Sequence, residues 1–152
     1  MKFGGTSVAT LDRIRRVAKR VGREVANGYD VIVIVSAMAG KTNELVGWVN
    51  ETSPFYDARE YDAVVSQGEN VTAGLMALTL QEMDIPARSW QGWQVPLKTT
   101  AAHGAARIVE IPTENIMQNE GRWCTIYLRL SHRQRCYVLQ WWEQCSDLWA
   151  CS

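Results

Sequence analysis

The stretch VIVIV, residues 31–35, decides the fold class of this 152-residue chain. An unbroken run of β-branched residues predicts a strand buried on both faces, and such strands are typical of parallel sheets. The preceding segment predicts a helix that Thr10 caps at its start and Asn27-Gly28 ends. Apolar residues repeat along this helix every three or four positions: Leu11, Ile14, Ala18, Val21 and Val25.

The segments on either side of this pair extend the pattern. Residues 2–3 have the character of the end of a first strand, so strand, helix and strand form a βαβ unit. Further elements are predicted as helices over residues 43–50, 58–66 and 70–83 and strands over residues 87–90 and 106–111. The spacing predicts that Leu75, Leu78 and Met83 form part of an inward stripe on the last helix. We therefore predict an α/β fold, an incomplete three-layer sandwich with a mainly parallel sheet.

The composition excludes several classes of protein. Apolar residues make up 47% and charged residues 21% of the chain, and the formal net charge is +0. This balance argues against binding to nucleic acid or to a membrane surface, because both need a strong basic excess. Arginine and lysine residues are dense between positions 13 and 23, and we interpret them as the solvated face of the first helix.

No apolar run approaches the ~20 residues that span a bilayer. No secretory signal opens the sequence, so a cytoplasmic location is expected.

The cysteines do not predict a metal site. All of them lie beyond residue 116, and no two form a CxxC pair. They are Cys124, Cys136, Cys145 and Cys151. Zinc sites need closely spaced cysteine or histidine ligands, and His132 is the one histidine nearby. We therefore predict no metal ligands.

Two loops follow strands at the edge where open α/β sheets bind their ligands. The first is Gly4-Gly5-Thr6-Ser7, whose glycines let backbone N–H groups approach an anion. The helix that starts after Thr10 adds a positive dipole end, and Lys2 adds a full charge. Together they predict a cradle for a polyphosphate, with an ordinary tight turn between strand and helix as the open alternative.

The second loop, SAMAGKTNE at residues 36–44, contains AGKT, which is similar to the end of a P-loop. That motif needs an earlier glycine where position 35 is Val, so we reject it. Lys41 and Thr42 are candidates for substrate contact, with a polar helix entry as the alternative. A third stretch, VSQGENVTAG, places Glu69 at a helix start, where it would cap the helix or hold a substrate ammonium group.

These stretches together resemble aspartate kinase, in the amino acid kinase superfamily. The family's opening signature is similar to KFGGTSV, and its second strand and substrate loop are similar to VIVIVSAMAGKTNELV. Its Ser-x-Gly-Glu helix start is similar to SQGENVTAGLMALTL, and the segment that follows is similar to ARSWQGWQVPLKT. The resemblance covers residues 1–116, and Gln67 stands where a small residue is expected. It implies transfer of the γ-phosphoryl group of ATP, with Mg²⁺, to the side-chain carboxylate of L-aspartate. That reaction is the first step towards lysine, threonine and methionine, in enzymes that are oligomeric.

The resemblance also implies roles for single residues. Lys2 would stabilise the charge on the transferring phosphoryl group. The nucleotide would contact Lys2, Phe3, Gly4, Gly5 and Ser36, and L-aspartate would contact Thr42 and Glu69. Positioning and electrostatics supply most of the catalysis in phosphoryl transfer, so these residue types fit that chemistry.

The resemblance stops near Ile116. The family's second glycine-rich motif, of the type GRGGSDT, carries a substrate arginine and a catalytic aspartate, and nothing in this sequence matches it. We therefore expect a truncated enzyme that does not sustain aspartate phosphorylation alone. The alternatives are an inactive fragment, or a glutamate or carbamate kinase of the same superfamily. A dinucleotide-binding Rossmann domain is disfavoured because GxGxxG is absent.

Residues 117–152 form an unmatched tail, which holds every cysteine and is crowded with tryptophan. This abrupt shift in composition favours a tail translated out of frame over a genuine extension. Translation of the other two reading frames distinguishes the two, because a frameshift predicts a GRGGSDT-like peptide in one of them. The apolar residues lack periodicity, so we expect the tail to be the least ordered part of the chain.

Overall fold

The computed structural model describes residues 1–90, 98–99, 107–110 and 123–126. Every predicted helix and strand is present there, with ends that differ by a few residues. The elements in chain order are β1 (Lys2–Phe3), α1 (Leu11–Ala26), β2 (Ile32–Val35), α2 (Lys41–Thr52), α3 (Ala58–Val65), α4 (Gln67–Glu82), β3 (Ala87–Trp90), β4 (Lys98–Thr99), β5 (Ile108–Glu110) and β6 (Trp123–Ile126).

One parallel sheet has the strand order β1-β2-β6-β3. Lys2 pairs with Ile34 and Phe3 with Val35, while β6 pairs with β2 on one side and with β3 on the other. The predicted parallel sheet and its βαβ unit, β1-α1-β2, are confirmed. The sequence did not predict β6, because four residues are too few to show a periodicity. Its residues belong to the segment expected to be an unmatched tail.

The strand predicted over residues 106–111 is present as β5 but does not join the parallel sheet. It pairs antiparallel with β4 in a second, two-stranded sheet. The connection between them is short, and a parallel pairing of neighbouring strands needs a crossover of a dozen or more residues.

The main apolar cluster of the described residues lies on one face of the parallel sheet. Val33 and Val35 are buried against residues of α1 and α4, whereas Ile32 is 46% exposed and Ile34 is half-buried. Successive strand residues point to opposite faces, so the expectation of burial on both faces is wrong for this strand. The described residues supply the sheet and one layer of helices, and the third layer of the predicted sandwich has no counterpart among them.

Helix α1 begins and ends as its sequence predicts. The Thr10 side chain accepts a hydrogen bond from the Arg13 N–H at 3.3 Å, and Asn27 is the C-cap. The residues that face the core are Ile14, Val17, Ala18 and Val21. Leu11 was predicted to face inward but is 51% exposed. Leu11 is the first residue of α1, and helix side chains point back towards the N-terminus of the helix. Its side chain therefore lies beyond the turns of α1 that pack on the core.

The buried face of α4 differs from the predicted stripe. Leu78 is 63% exposed and Met83 is 37% exposed, so the prediction is wrong for both, while Leu75 is half-buried against the core. The buried residues are Gly68, Thr72, Ala73, Met76, Ala77 and Leu80. Small residues on this face let α4 approach its neighbours closely, and a search for large apolar side chains overlooks them.

Helices α2 and α3 pack against each other and against α4. Ser66 separates α3 from α4 and has helical angles, with φ −64 and ψ −19. Within the part of the chain that the structure describes, the helices are too short or too polar to span a bilayer.

Candidate functional site

The three loops singled out in the sequence meet around Ala37, which is 3% exposed. A Cβ atom at Gly5 would lie 2.7 Å from the Ala37 carbonyl oxygen, so the first and second loops are in backbone contact. A Cβ atom at Gly68 would lie 3.0 Å from the Ala37 Cβ, so the start of α4 packs on the second loop. The first two loops leave the carboxyl ends of β1 and β2, which is the edge where open sheets bind ligands.

The first loop directs its carbonyl groups into internal hydrogen bonds. The Gly4 and Gly5 carbonyls accept from the N–H groups three residues further on, at 2.9 and 3.3 Å. The Thr6 carbonyl accepts from Arg13 Nη1 at 2.6 Å. Within the described part of the chain, the N–H groups of Gly4, Gly5 and Thr6 donate to no protein acceptor. Three successive N–H groups are thus available while the carbonyl groups of the same residues are engaged, and such a loop suits the binding of an anion. The positive end of the α1 dipole favours an anion there further.

Lys2 and Phe3 leave β1 on opposite sides of the sheet. Phe3 packs against the core, and its carbonyl accepts from the Ser36 N–H at 3.2 Å. A contact between Phe3 and a nucleotide stays a prediction, and this packing leaves only the Phe3 backbone to make it. Lys2 is exposed and lies in register with Ile34, on the side of the sheet away from the core.

The second loop connects β2 to α2. Ser36 follows β2 directly and is half-buried. Gly40 is the N-cap of α2 with φ 84, a left-handed conformation that glycine adopts without strain. The Lys41 ammonium group bonds to Glu44 Oε2 at 2.6 Å on the exposed surface of the helix, as a polar helix entry predicts. Thr42 is half-buried in the first turn of α2 and remains the predicted substrate residue of this loop.

The third stretch forms the start of α4. Glu69 is half-buried in the first turn, and its Oε2 atom is inaccessible to solvent. A carboxylate is favoured at this end of a helix. Gln67, the unexpected residue in this motif, is exposed; its Nε2 donates to the Ala63 carbonyl at 2.9 Å and its Oε1 accepts from Asn70 Nδ2 at 3.3 Å. The Gln67 side chain therefore lies along the helix surface, and the helix start keeps its packing.

The arrangement brings hydrogen-bond donors and a carboxylate-bearing helix start to one edge of the sheet. Donors in the first loop suit a phosphate. A contact between Glu69 and a substrate ammonium group stays a prediction. Among the residues that the structure describes, no group of three or more His, Cys, Asp or Glu side chains is placed to hold a metal ion.

Two residues of this site, Ala37 and Arg13, are not predicted from the sequence. Ala37 is the contact point of all three loops, and only its small size in a run of small residues points to it. Arg13 holds the Thr6 carbonyl, but in the sequence it is one of several basic residues on α1 and nothing distinguishes it from them.

Comparison with known proteins gives related sequences for most of the chain. Residues 1–119 match the model of the amino acid kinase family. The chain is 49% identical to an aspartokinase of Rickettsia felis over 116 residues, which make up 74% of this chain and 29% of that protein. It is 46% identical to an aspartokinase of Bacillus sp. (strain MGA3) over 123 residues, which make up 80% of this chain and 30% of that protein. The chain thus spans about three tenths of the length of these curated relatives.

Two aspartate kinases of known structure have a fold similar to that of this chain. The enzyme from Synechocystis superposes with a TM-score of 0.73 at 35% sequence identity, over 90% of this chain and 22% of that one. E. coli aspartokinase III, in complex with aspartate and ADP, superposes with a TM-score of 0.57 at 21% identity, over 85% of this chain and 40% of that one. At the lower identity the likeness shows the fold alone.

Proposed function

Since this chain belongs to the amino acid kinase family, we propose that it takes part in transferring the γ-phosphoryl group of ATP to the side-chain carboxylate of L-aspartate. An oxygen of that carboxylate bonds to the γ-phosphorus while the bond from this phosphorus to the β–γ bridging oxygen breaks. The products are 4-phospho-aspartate and ADP. The aspartokinase relatives support this choice of reaction.

The backbone of the first loop is the observation that carries this proposal. Its carbonyl groups are engaged at Gly4, Gly5 and Thr6, while the N–H groups of the same residues have no acceptor within the described ranges. These donors would hold phosphate oxygens of ATP, and Ser36 would line the same site. Mg²⁺ would arrive coordinated by those phosphates, as it does in most nucleotide sites, and would neutralise charge on them.

The remaining predicted residues supply charge and orientation. The Lys2 ammonium group, on its flexible stem, would reach over the sheet edge and stabilise charge on the transferring phosphoryl group. Glu69 would hold the ammonium group of L-aspartate, and the Thr42 hydroxyl would donate to one of its carboxylates. These groups act by positioning the substrates and by electrostatic stabilisation.

Calorimetric titration with MgATP tests the nucleotide half of the site. Lys2→Ala should raise the Kd about tenfold, because a charge-assisted contact is lost. Lys19→Ala is the matched control, since Lys19 is an exposed lysine on α1, and it should leave the Kd within about twofold. Absence of saturable MgATP binding by the unsubstituted chain would contradict the proposal.

Titration with L-aspartate tests the substrate half. Thr42→Ala and Glu69→Gln should each weaken aspartate binding without changing the Kd for MgATP. Thr42→Ser keeps the hydroxyl and should bind aspartate almost as the unsubstituted chain does. Equal losses for both ligands would point to a folding defect and count against these assignments.

The resemblance to aspartate kinases implies that turnover also uses an arginine and an aspartate of a GRGGSDT-type motif, and this sequence has no such motif. We expect no aspartyl phosphate from this chain alone in a hydroxamate-trapping assay. Residues 1–116 joined to the remaining segment of the Rickettsia felis relative should restore it. In that chimera, Lys2→Ala should lower kcat by at least about a hundredfold, the size of effect seen when one charge-stabilising group is removed. If the chimera kept its activity with Lys2→Ala, Lys2 would have no catalytic role.

A further inference from the structure

Arg13 reaches from the first turn of α1 back to the first loop. Its Nη1 atom donates to the Thr6 carbonyl at 2.6 Å, across seven positions of sequence. The next N–H group, that of Ser7, donates to the Gly4 carbonyl at 2.9 Å. The peptide unit between Thr6 and Ser7 is therefore held at both ends, by a side chain at its oxygen and by the backbone at its nitrogen.

This arrangement matters for an anion site. Rotation of this peptide unit would turn the Thr6 carbonyl oxygen towards the ligand, and a carbonyl oxygen that faces a phosphate repels it. The Gly4 and Gly5 carbonyls are held by the turn itself. The Thr6 carbonyl has no such backbone partner in the described residues, and its hydrogen bond comes from Arg13.

We propose that Arg13 is a positioning residue for the phosphate-binding loop, which holds the Thr6 carbonyl away from the ligand and brings a positive charge next to the loop. The binding part of this inference rests on the proposed function. Two other arginines on α1 have different partners, since Arg15 pairs with Asp12 at 2.8 Å and Arg20 with Glu24 at 3.5 Å. Among the hydrogen bonds of the described residues, the contact with the Thr6 carbonyl comes from Arg13.

Arg13 also contributes to the helix through its backbone, because its N–H group donates to the Thr10 side chain at 3.3 Å. Substitution of the Arg13 side chain leaves this N–H group in place. Thr10→Ala removes the cap but keeps the Arg13 side chain. The two variants therefore separate loop positioning from weakening of the helix start.

The order parameters of the loop amides, from ¹⁵N relaxation of the full chain, test the positioning directly. In Arg13→Ala the values for residues 4–7 should fall from about 0.85 to below about 0.6, the range of flexible backbone. Arg13→Lys should give intermediate values, because its ammonium group reaches the same carbonyl with fewer donors. Arg15→Ala and Thr10→Ala should leave the loop rigid. Unchanged loop values in Arg13→Ala would overturn the proposal.

Titration with MgATP and with inorganic tripolyphosphate tests the consequence for binding. Arg13→Ala should raise both Kd values about tenfold, and Arg15→Ala should change them less than twofold. A loop that becomes flexible without any change in either Kd would overturn the link to phosphate. If the unsubstituted chain binds neither compound while Arg13→Ala still loosens the loop, the proposed function fails and the positioning role stands.

Discussion

Gly68 and Ala37 touch at the point where α4 meets the second loop. A Cβ atom at position 68 would lie 3.0 Å from the Ala37 Cβ and 3.4 Å from Leu45 Cδ1. Both residues are buried, and the contact needs both to be small. It therefore sets the distance between the second loop and the helix turn that carries Glu69.

Gly68→Ala should lower the free energy of unfolding by about 1–3 kcal/mol, the usual cost of adding an atom to a tight contact. Alanine is otherwise the better helix former by about 1 kcal/mol. Gly74→Ala in the same helix shows that gain alone, because outside the local helix backbone nothing lies within 4 Å of a Cβ atom at Gly74. Urea denaturation measures both. Adding Ala37→Gly to Gly68→Ala should recover part of the loss, and a double variant no more stable than Gly68→Ala would show that this contact is not its cause.

Gly5 and Gly4 form a second matched pair, in the first loop. A Cβ atom at Gly5 would meet the Ala37 carbonyl oxygen at 2.7 Å, and a backbone atom cannot rotate away as a side chain can. Apart from Gly4 itself and its chain neighbours, nothing lies within 4 Å of a Cβ atom at Gly4. Gly5→Ala should therefore cost about 1–3 kcal/mol of stability and weaken MgATP binding, while Gly4→Ala stays within about 0.5 kcal/mol. Equal effects of the two substitutions in denaturation and titration would contradict the close approach of the two loops.

The positions of the loops of the site are predicted from the sequence, but the contacts between these loops are not. Glycines after β1 and a small-residue run after β2 are visible in the sequence, because turns and backbone approach restrict residue type. The meeting of Gly5 and Gly68 at Ala37 depends on how α4 packs, and no local pattern reports packing between distant segments. The same limit hid Arg13, whose partner is a backbone carbonyl and therefore leaves no signature in residue types.

The buried face of α4 differs from the one that the sequence predicts, and the difference can be measured by comparing Met76 with Leu78. Met76 is fully buried, whereas Leu78 is 63% exposed. Met76→Ala should lower the free energy of unfolding by about 2–5 kcal/mol, because it leaves a cavity in the core. Leu78→Ala should change it by less than about 0.5 kcal/mol, as surface substitutions do. Thermal or urea denaturation compares them, and a larger loss for Leu78→Ala would restore the stripe that the sequence suggested.

Strand β6 tests how far the folded part of the chain extends. It lies beyond the residues that match the family model, yet it pairs with β2 and β3 in the middle of the parallel sheet. A strand between two others uses its N–H groups in the ladder, and a proline there removes one. Thr125→Pro should therefore destabilise the chain by about 1–3 kcal/mol, the cost of leaving the acceptor of this N–H group without its hydrogen bond.

Thr125→Ala is the control for this prediction, because alanine keeps the N–H group and the position in the ladder. Urea denaturation should show a clearly larger loss for Thr125→Pro than for Thr125→Ala. Hydrogen exchange should locate that loss at the amides of β2 and β3, which pair with β6 at Val33 and Ser89 opposite Thr125. Equal stability of the two variants would mean that β6 contributes nothing to the sheet, as expected for a tail translated out of frame. A larger loss in the proline variant would instead make residues 123–126 part of the fold on which the proposed site is built.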